Sequence, residues 1–200
     1  MVMATGVWRA KASCITDTGL VVLGIDLAGS PKRPTGVCVM ADDRAQTHLA
    51  FSDADLVPID APLSLPPGRR SIHDRSGEHL RPCDRVLQQR GIRFFPITLG
   101  PMRMLTERGL NLKKQMEILG HVAVECYPGA AQDTWRIPRQ HHDLAGLRRL
   151  GLRGLKQTAS PHELDAASAA LAGMWFLLGA GEMIGGNDGI LMPEEGQCTC

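Results

Sequence analysis

Leu20–Leu27, LVVLGIDL, is an unbroken apolar run that closes on Asp26 and one further leucine. A strand with one wet face would alternate apolar and polar positions, so a continuous run of this length and β-branched character reads as a strand covered on both sides. It is the expected central strand of a sheet. Outward from it, Gly36–Met40 (GVCVM) and Ala45–Ala50, parted by the turn-forming Asp42-Asp43 pair, continue as an antiparallel meander. Asp55–Asp60 (DLVPID) is another short strand, stopped by Ala61-Pro62 and the Pro66-Pro67-Gly68 loop. His121–Cys126 (HVAVEC) is a third buried run, followed by Tyr127-Pro128-Gly129. Each of the three apolar strands therefore carries an acid at or beside its carboxyl end: Asp26, Asp60 and Glu125.

Helical periodicity appears over Arg81–Arg90, with Val86, Leu87 and Cys83 inward, Arg81, Arg85 and Gln88 toward solvent, and Gly91 as the stop. A second helix is expected over Met104–Leu119, and a basic amphipathic segment covers Leu144–Leu155. The strongest helix start is at Ser160, with Pro161 as the first helical residue and Glu163 as the reciprocal member of a capping box. Asp165 falls in the second turn of that helix. Meander, strand, helix, strand, helix is an α/β order, in which a site belongs at the carboxyl ends of the parallel strands.

The chain of 200 residues reads as one domain over residues 19–192, with a loose lead-in at 1–18 and a tail at 193–200 within a final dozen that lacks apolar periodicity. Hydrophobic residues make up 44% and aromatics 4%, which predicts a soluble protein with an aliphatic core and excludes disordered and collagen-like classes. No secretory pattern opens the sequence, and the longest apolar stretch, Ala166–Ala180, is too short for a bilayer span. The six cysteines, at 14, 38, 83, 126, 198 and 200, lack paired metal or redox spacing. Cys38 and Cys126 lie in apolar runs, as small buried hydrophobes do, so a cytoplasmic protein without membrane partners is expected. The formal charge of +1 conceals a split: Ala61–Ser160 holds 17 basic and 8 acidic residues, and the remainder holds 5 and 13. Carboxylates and arginines can thus meet in one cleft, although a solvated surface gives the same count.

If the strands ending in Asp26, Asp60 and Glu125 are neighbours, a helix packed across them can add Asp165. Four such acids raise one another's pKa and cannot all ionise without a cation. Hard oxygen ligands suit Mg²⁺ or Mn²⁺, which keep several waters, accept substrate phosphate oxygens and activate water against a phosphodiester. Each acid has a quieter alternative. Asp26 can cap the turn through Ser30, Asp60 can initiate the Ala-Pro turn, Glu125 can pair with an arginine of the basic segment, and Asp165 can answer the helix dipole. His162, three residues before Asp165, can shuttle a proton or orient a carboxylate. Lys32, Arg33, Arg81 and Arg85 are the expected phosphate contacts, with surface ion pairing as their alternative.

Taken together, GIDLAGSPKRPTG, VPIDAPLSLP, RPCDRVLQQRGIRFFP, VECYPGAAQDTW and HELDAASAALAG, in that order, resemble the family named domain of unknown function 429, over about Val21 to Leu191. Members of that family are predicted nucleases with a ribonuclease-H-like fold. The resemblance implies that fold, metal binding at Asp26, Asp60, Glu125 and Asp165, and a nucleic acid substrate, DNA or RNA. It gives Arg81 and Asp84 a polar motif of unassigned role. One departure stands out: between Ala50 and Asp60 there is little room for the crossover helix usual in such folds. Two other readings suit the same residues, a nucleotide-binding or phosphotransfer protein and a noncatalytic nucleic-acid-binding scaffold.

Overall fold

A seven-stranded mixed sheet runs through the structure, a computed structural model that describes residues 18–30, 33, 35–46, 54–138 and 144–194. Its strands are β1 (Val21–Asp26), β2 (Gly36–Ala41), β3 (Arg44–Gln46), β4 (Val57–Asp60), β5 (Ala123–Cys126), β6 (Gly181–Ile184) and β7 (Ile190–Pro193). They lie in the order β3-β2-β1-β4-β5-β7-β6. The meander β1-β2-β3 is antiparallel, β1-β4, β4-β5 and β5-β7 are parallel, and β6-β7 is antiparallel. The α/β class, the meander and the parallel strands agree with the expectation. Among the described residues no helix is long and apolar enough to cross a membrane.

Five helices flank the sheet: α1 (Pro82–Gln89), α2 (Gly100–Ile118), α3 (Pro128–Thr134), α4 (Leu144–Arg149) and α5 (Pro161–Leu177). Proline stands in the first two positions of α1, α2, α3 and α5, where no intrahelical N–H is lost. At the start of α5 the capping box forms as expected. The Glu163 N–H donates to Ser160 Oγ at 3.3 Å, and the Ser160 N–H donates to Glu163 Oε2 at 2.7 Å. On one face of the sheet α5 buries Ala166, Ala170 and Met174 against Val22, Cys38 and Met40. On the other, Leu105, Leu112 and Met116 of α2 cover Leu23, Ile25, Val57 and Ile59. The period of two along each strand sends alternate residues to these two layers.

Several expectations are corrected. The final dozen residues were read as lacking structure, yet Ile190–Pro193 is wholly buried as β7, held between β5 and β6. After β5 ends at Cys126, Tyr127 is the N-cap and Pro128 the first residue of α3, a helix the sequence reading did not name. Arg81 is not solvent-facing, being 2% exposed. The basic segment at 144–155 is helical only over Leu144–Arg149. Of the stretch between Ala50 and Asp60, the described residues 54–60 hold β4 and no crossover helix, while residues 47–53 lie outside the described residues, as do Lys32, residues 1–17 of the lead-in and 195–200 of the tail.

The placement of α5 depends on two glycines. A Cβ on Gly24 of β1 would lie 2.1 Å from the Ala166 carbonyl oxygen, and one on Gly36 of β2 would lie 2.1 Å from that of His162. Helix backbone therefore rests directly on strand backbone. Gly173, farther along α5, instead makes room for a side chain of β4, with Pro58 Cγ 2.5 Å from the position of a Cβ. Gly24→Ala is expected to destabilise the protein by about 3 kcal/mol or more, because backbone on both sides must move. Gly100→Ala, at a position with nothing within 4 Å, should change stability by no more than about 1 kcal/mol, with a small gain from helix propensity. Urea unfolding of both variants checks the contrast.

Candidate active site

Asp26 and Asp60 are partners in the parallel register of β1 and β4, so they project from the same face at the same level. That face is the one α5 covers, because Gly24 and Pro58, two residues earlier on each strand, touch that helix. The direct backbone contact at Gly36 brings the first turn of α5 over the end of β1. His162 Nδ1 consequently lies 2.5 Å from Asp26 Oδ2. With Asp26 ionised and accepting, Nδ1 carries the proton and Nε2 is left as the basic nitrogen. One turn on, Asp165 Oδ1 accepts a hydrogen bond from Gln132 Nε2 at 2.9 Å. Gln132, on α3, also donates to Ser168 Oγ at 3.0 Å and is buried.

Asp60 differs from its neighbours, since no hydrogen bond reaches its carboxylate from the described residues. Burial raises its pKa well above the ordinary aspartate value, and Asp26, Asp165 and Glu125 push it further in that order. An acid in this position either holds a proton or shares a cation with the acids around it. Asp26, Asp60 and Asp165 are the acids whose charges bear on one another here. Among the described residues no three His, Cys, Asp or Glu side chains are grouped so as to hold a metal ion. Mg²⁺ does not demand such a group, because it is commonly held by one or two carboxylates together with waters and substrate oxygens.

Glu125 is placed otherwise. Its partner in the β4-β5 register is Ile59, which faces α2, so Glu125 leaves the sheet on the side opposite Asp60. There it meets Arg81. Arg81 Nη1 donates to Glu125 Oε2 at 2.6 Å and Nη2 to Oε1 at 2.8 Å, a bidentate pair, and the Leu63 N–H adds a 2.7 Å bond to Oε2. The other edge of the same guanidinium serves Asp84, with Nε to Oδ2 at 3.2 Å and Nη2 to Oδ1 at 2.9 Å. Arg81, Asp84 and Glu125 are all at least 95% buried. Burial works against the Arg81 charge, but Glu125 and Asp84 outweigh it and hold the guanidinium ionised. Burial likewise raises Glu125, with Arg81 and the Leu63 amide opposing.

The phosphate contacts expected from the sequence separate as well. Arg81 is committed inside the protein, and Arg85 pairs with Glu78 on the surface at 2.5 Å. Arg33 is exposed in the loop after β1. Two relevant groups escaped the sequence reading. Gln132 carries no periodic or motif signal of its own. Asp84 was noted only through its place in RPCDR, and its burial follows from α1 lying against the β6-β7 turn, where a Cβ on Gly185 would lie 2.3 Å from the Cys83 nitrogen.

A cavity of about 250 Å³ opens beside Asp60. Arg81, Asp84 and Glu125 line its polar side, and Leu87, Phe94, Phe95, Ile97, Met102 and Leu105 supply most of the apolar wall.

Two outcomes follow from this geometry. Arg81→Met should cost about 3–5 kcal/mol of stability, because Glu125 and Asp84 are then buried without a counter-charge, and adding Glu125→Gln and Asp84→Asn should restore part of the loss. In chelator, the stability that depends on a protonated Asp60 is complete below the ordinary aspartate range and is lost as pH rises through the raised Asp60 value. Asp60→Asn should flatten that decline and melt higher than the parent at neutral pH, as thermal scans from pH 4 to 9 would show. No family model, curated protein or solved structure matches this chain.

Proposed function

We propose that the protein is a divalent-metal-dependent nuclease on a ribonuclease-H-like fold, hydrolysing phosphodiester bonds at Asp26, Asp60 and Asp165. One observation carries this reading: Asp26 and Asp60 are side by side on adjacent parallel strands, with Asp165 near enough to add to the pressure on Asp60's charge. An antiparallel meander joined at β1 to the parallel strands β4 and β5 is the arrangement that the family resemblance calls for.

Bound Mg²⁺ or Mn²⁺ would neutralise the acids, lower the pKa of water and take up phosphate oxygens. Asp26, Asp60 and Asp165 would hold the cation. His162, with Nδ1 fixed on Asp26 and a side chain about half exposed, exchanges a proton through Nε2 with solvent or with a reacting group. Gln132 fixes the Asp165 carboxylate. Arg81 neutralises Glu125 on the opposite face and, with it and Asp84, forms the polar side of the cavity. Among the described residues Arg33 is the exposed cation nearest in sequence to the end of β1, suited to a phosphate. The free, buried thiols support a reducing, cytoplasmic setting, as burial pushes Cys38 and Cys83 up to about 12 and leaves them unreactive.

Cleavage of single- and double-stranded DNA and RNA, measured with Mg²⁺, Mn²⁺ or chelator, tests the proposal. Activity should require the cation, and Asp26→Asn, Asp60→Asn and Asp165→Asn should each reduce it about a hundredfold or more, the loss of several kcal/mol of transition-state stabilisation. Undiminished cleavage in all three folded variants would rule the mechanism out.

A further inference from the structure

We propose that the cavity beside Asp60 is a subsite for one unpaired nucleobase, so that the protein engages single-stranded or locally opened nucleic acid in preference to continuous duplex. The inference rests on the nuclease reading for its choice of polymer, and deepens it by naming the substrate form.

The wall facing solvent is aromatic. Phe94, Phe95 and Tyr127 border the cavity, and the same three border a shallower depression of about 600 Å³ on the side of Gln88 and Arg93. Phe95 is 71% exposed. An exposed ring between two hollows has a face for a flat partner, and base–aromatic stacking is how single strands are held without regard to sequence. A base inside a continuous duplex has no face or edge free to enter such a hollow. The volume agrees with one heterocycle, since pockets for larger ligands run from about 300 to 1,000 Å³.

Charge points to the same partner. Between Arg90 and Lys114, the stretch that carries Phe94, Phe95 and Met102, there are six basic residues and one acidic residue. Arg90 and Lys113 are paired with Glu182 and Asp188. Arg93 and Arg103 are exposed beside cavity-lining Phe94 and Met102. A polyanion whose backbone runs past these residues places a base toward the cavity and a phosphate toward Asp60.

The floor also sets a chemical preference. All five N–H groups of Arg81 are committed, to Asp84, Glu125 and, at 3.4 Å, Ser64. What remains is acceptor capacity: Glu125 Oε1 takes one bond from Arg81 and keeps a free lone pair. A base that presents an exocyclic amine suits this floor better than one that presents carbonyls.

Fluorescence anisotropy with labelled dC12, dT12 and a 12-base-pair duplex, in chelator and in Ca²⁺, tests the subsite apart from catalysis. The full chain should bind dC12 more tightly than dT12 or duplex. Phe95→Ala, which removes an exposed ring and should fold normally, should weaken dC12 binding about fivefold or more, and Phe95→Trp should restore it. Equal affinities for dC12 and duplex, or a Phe95→Ala variant that binds like the parent, would overturn the proposal. Phe95-dependent binding without metal-dependent cleavage would leave the subsite standing and remove the nuclease reading. Asp26- and Asp60-dependent cleavage with binding and KM unaffected by Phe95→Ala would do the reverse.

Discussion

The contact of α5 with β1 and β2 through Gly24 and Gly36 is the constraint on which the rest of the site depends. A helix ordinarily stands off a sheet by the length of interleaved side chains. Here the carbonyls of His162 and Ala166 occupy space that a methyl group would fill, so the helix lies lower than side-chain packing allows. Its alanines make that approach feasible along the whole length, and Gly173 makes room for the side chain of Pro58. The result is chemical as well as structural. His162 reaches Asp26 and Asp165 joins the acids only because the helix start is pressed against the ends of the central strands.

A second constraint is strand parity. Register pairs Asp26 with Asp60 and Glu125 with Ile59, so the four acids divide between the two faces of one sheet. Each group has its own means of tolerating negative charge. Glu125 and Asp84 carry a built-in cation, Arg81, shared between them in a dry setting. The acids on the α5 face include Asp60, which burial and like charge drive toward protonation, and on the proposed reading an exchangeable dication takes the place that an arginine holds opposite. One sheet end thus presents a fixed, neutralised floor beside a site with negative charge to spare.

Much of this was legible in the sequence. The unbroken run LVVLGIDL identified an interior strand, the acids closing three strands fell at one end of the parallel part of the sheet, and Ser160-Pro161-His162-Glu163 announced the start of α5 correctly. What stayed hidden depended on tertiary context. Whether an acid that closes a four-residue strand faces one layer or the other follows from its register, and register is invisible in a chain read alone. Arg81 looked like a surface residue because its position on α1 is polar by pattern, whereas its burial comes from Glu125, forty-four residues away. β6 and β7 were lost because four-residue strands around Gly185-Gly186-Asn187-Asp188-Gly189 have too few positions to show a period. Gln132 was hidden because a single buried amide has no spacing to betray it.

The central proposal is that Asp26, Asp60 and Asp165 would form one site for a dication, without Glu125. Anomalous diffraction at the manganese edge from crystals soaked in Mn²⁺ addresses it most directly. The account predicts a peak within about 2.3 Å of oxygens from the three aspartates, with the Arg81–Glu125 pair intact. Manganese held by Glu125 after displacement of Arg81, or aspartates bonded to protein donors with no peak between them, would contradict it.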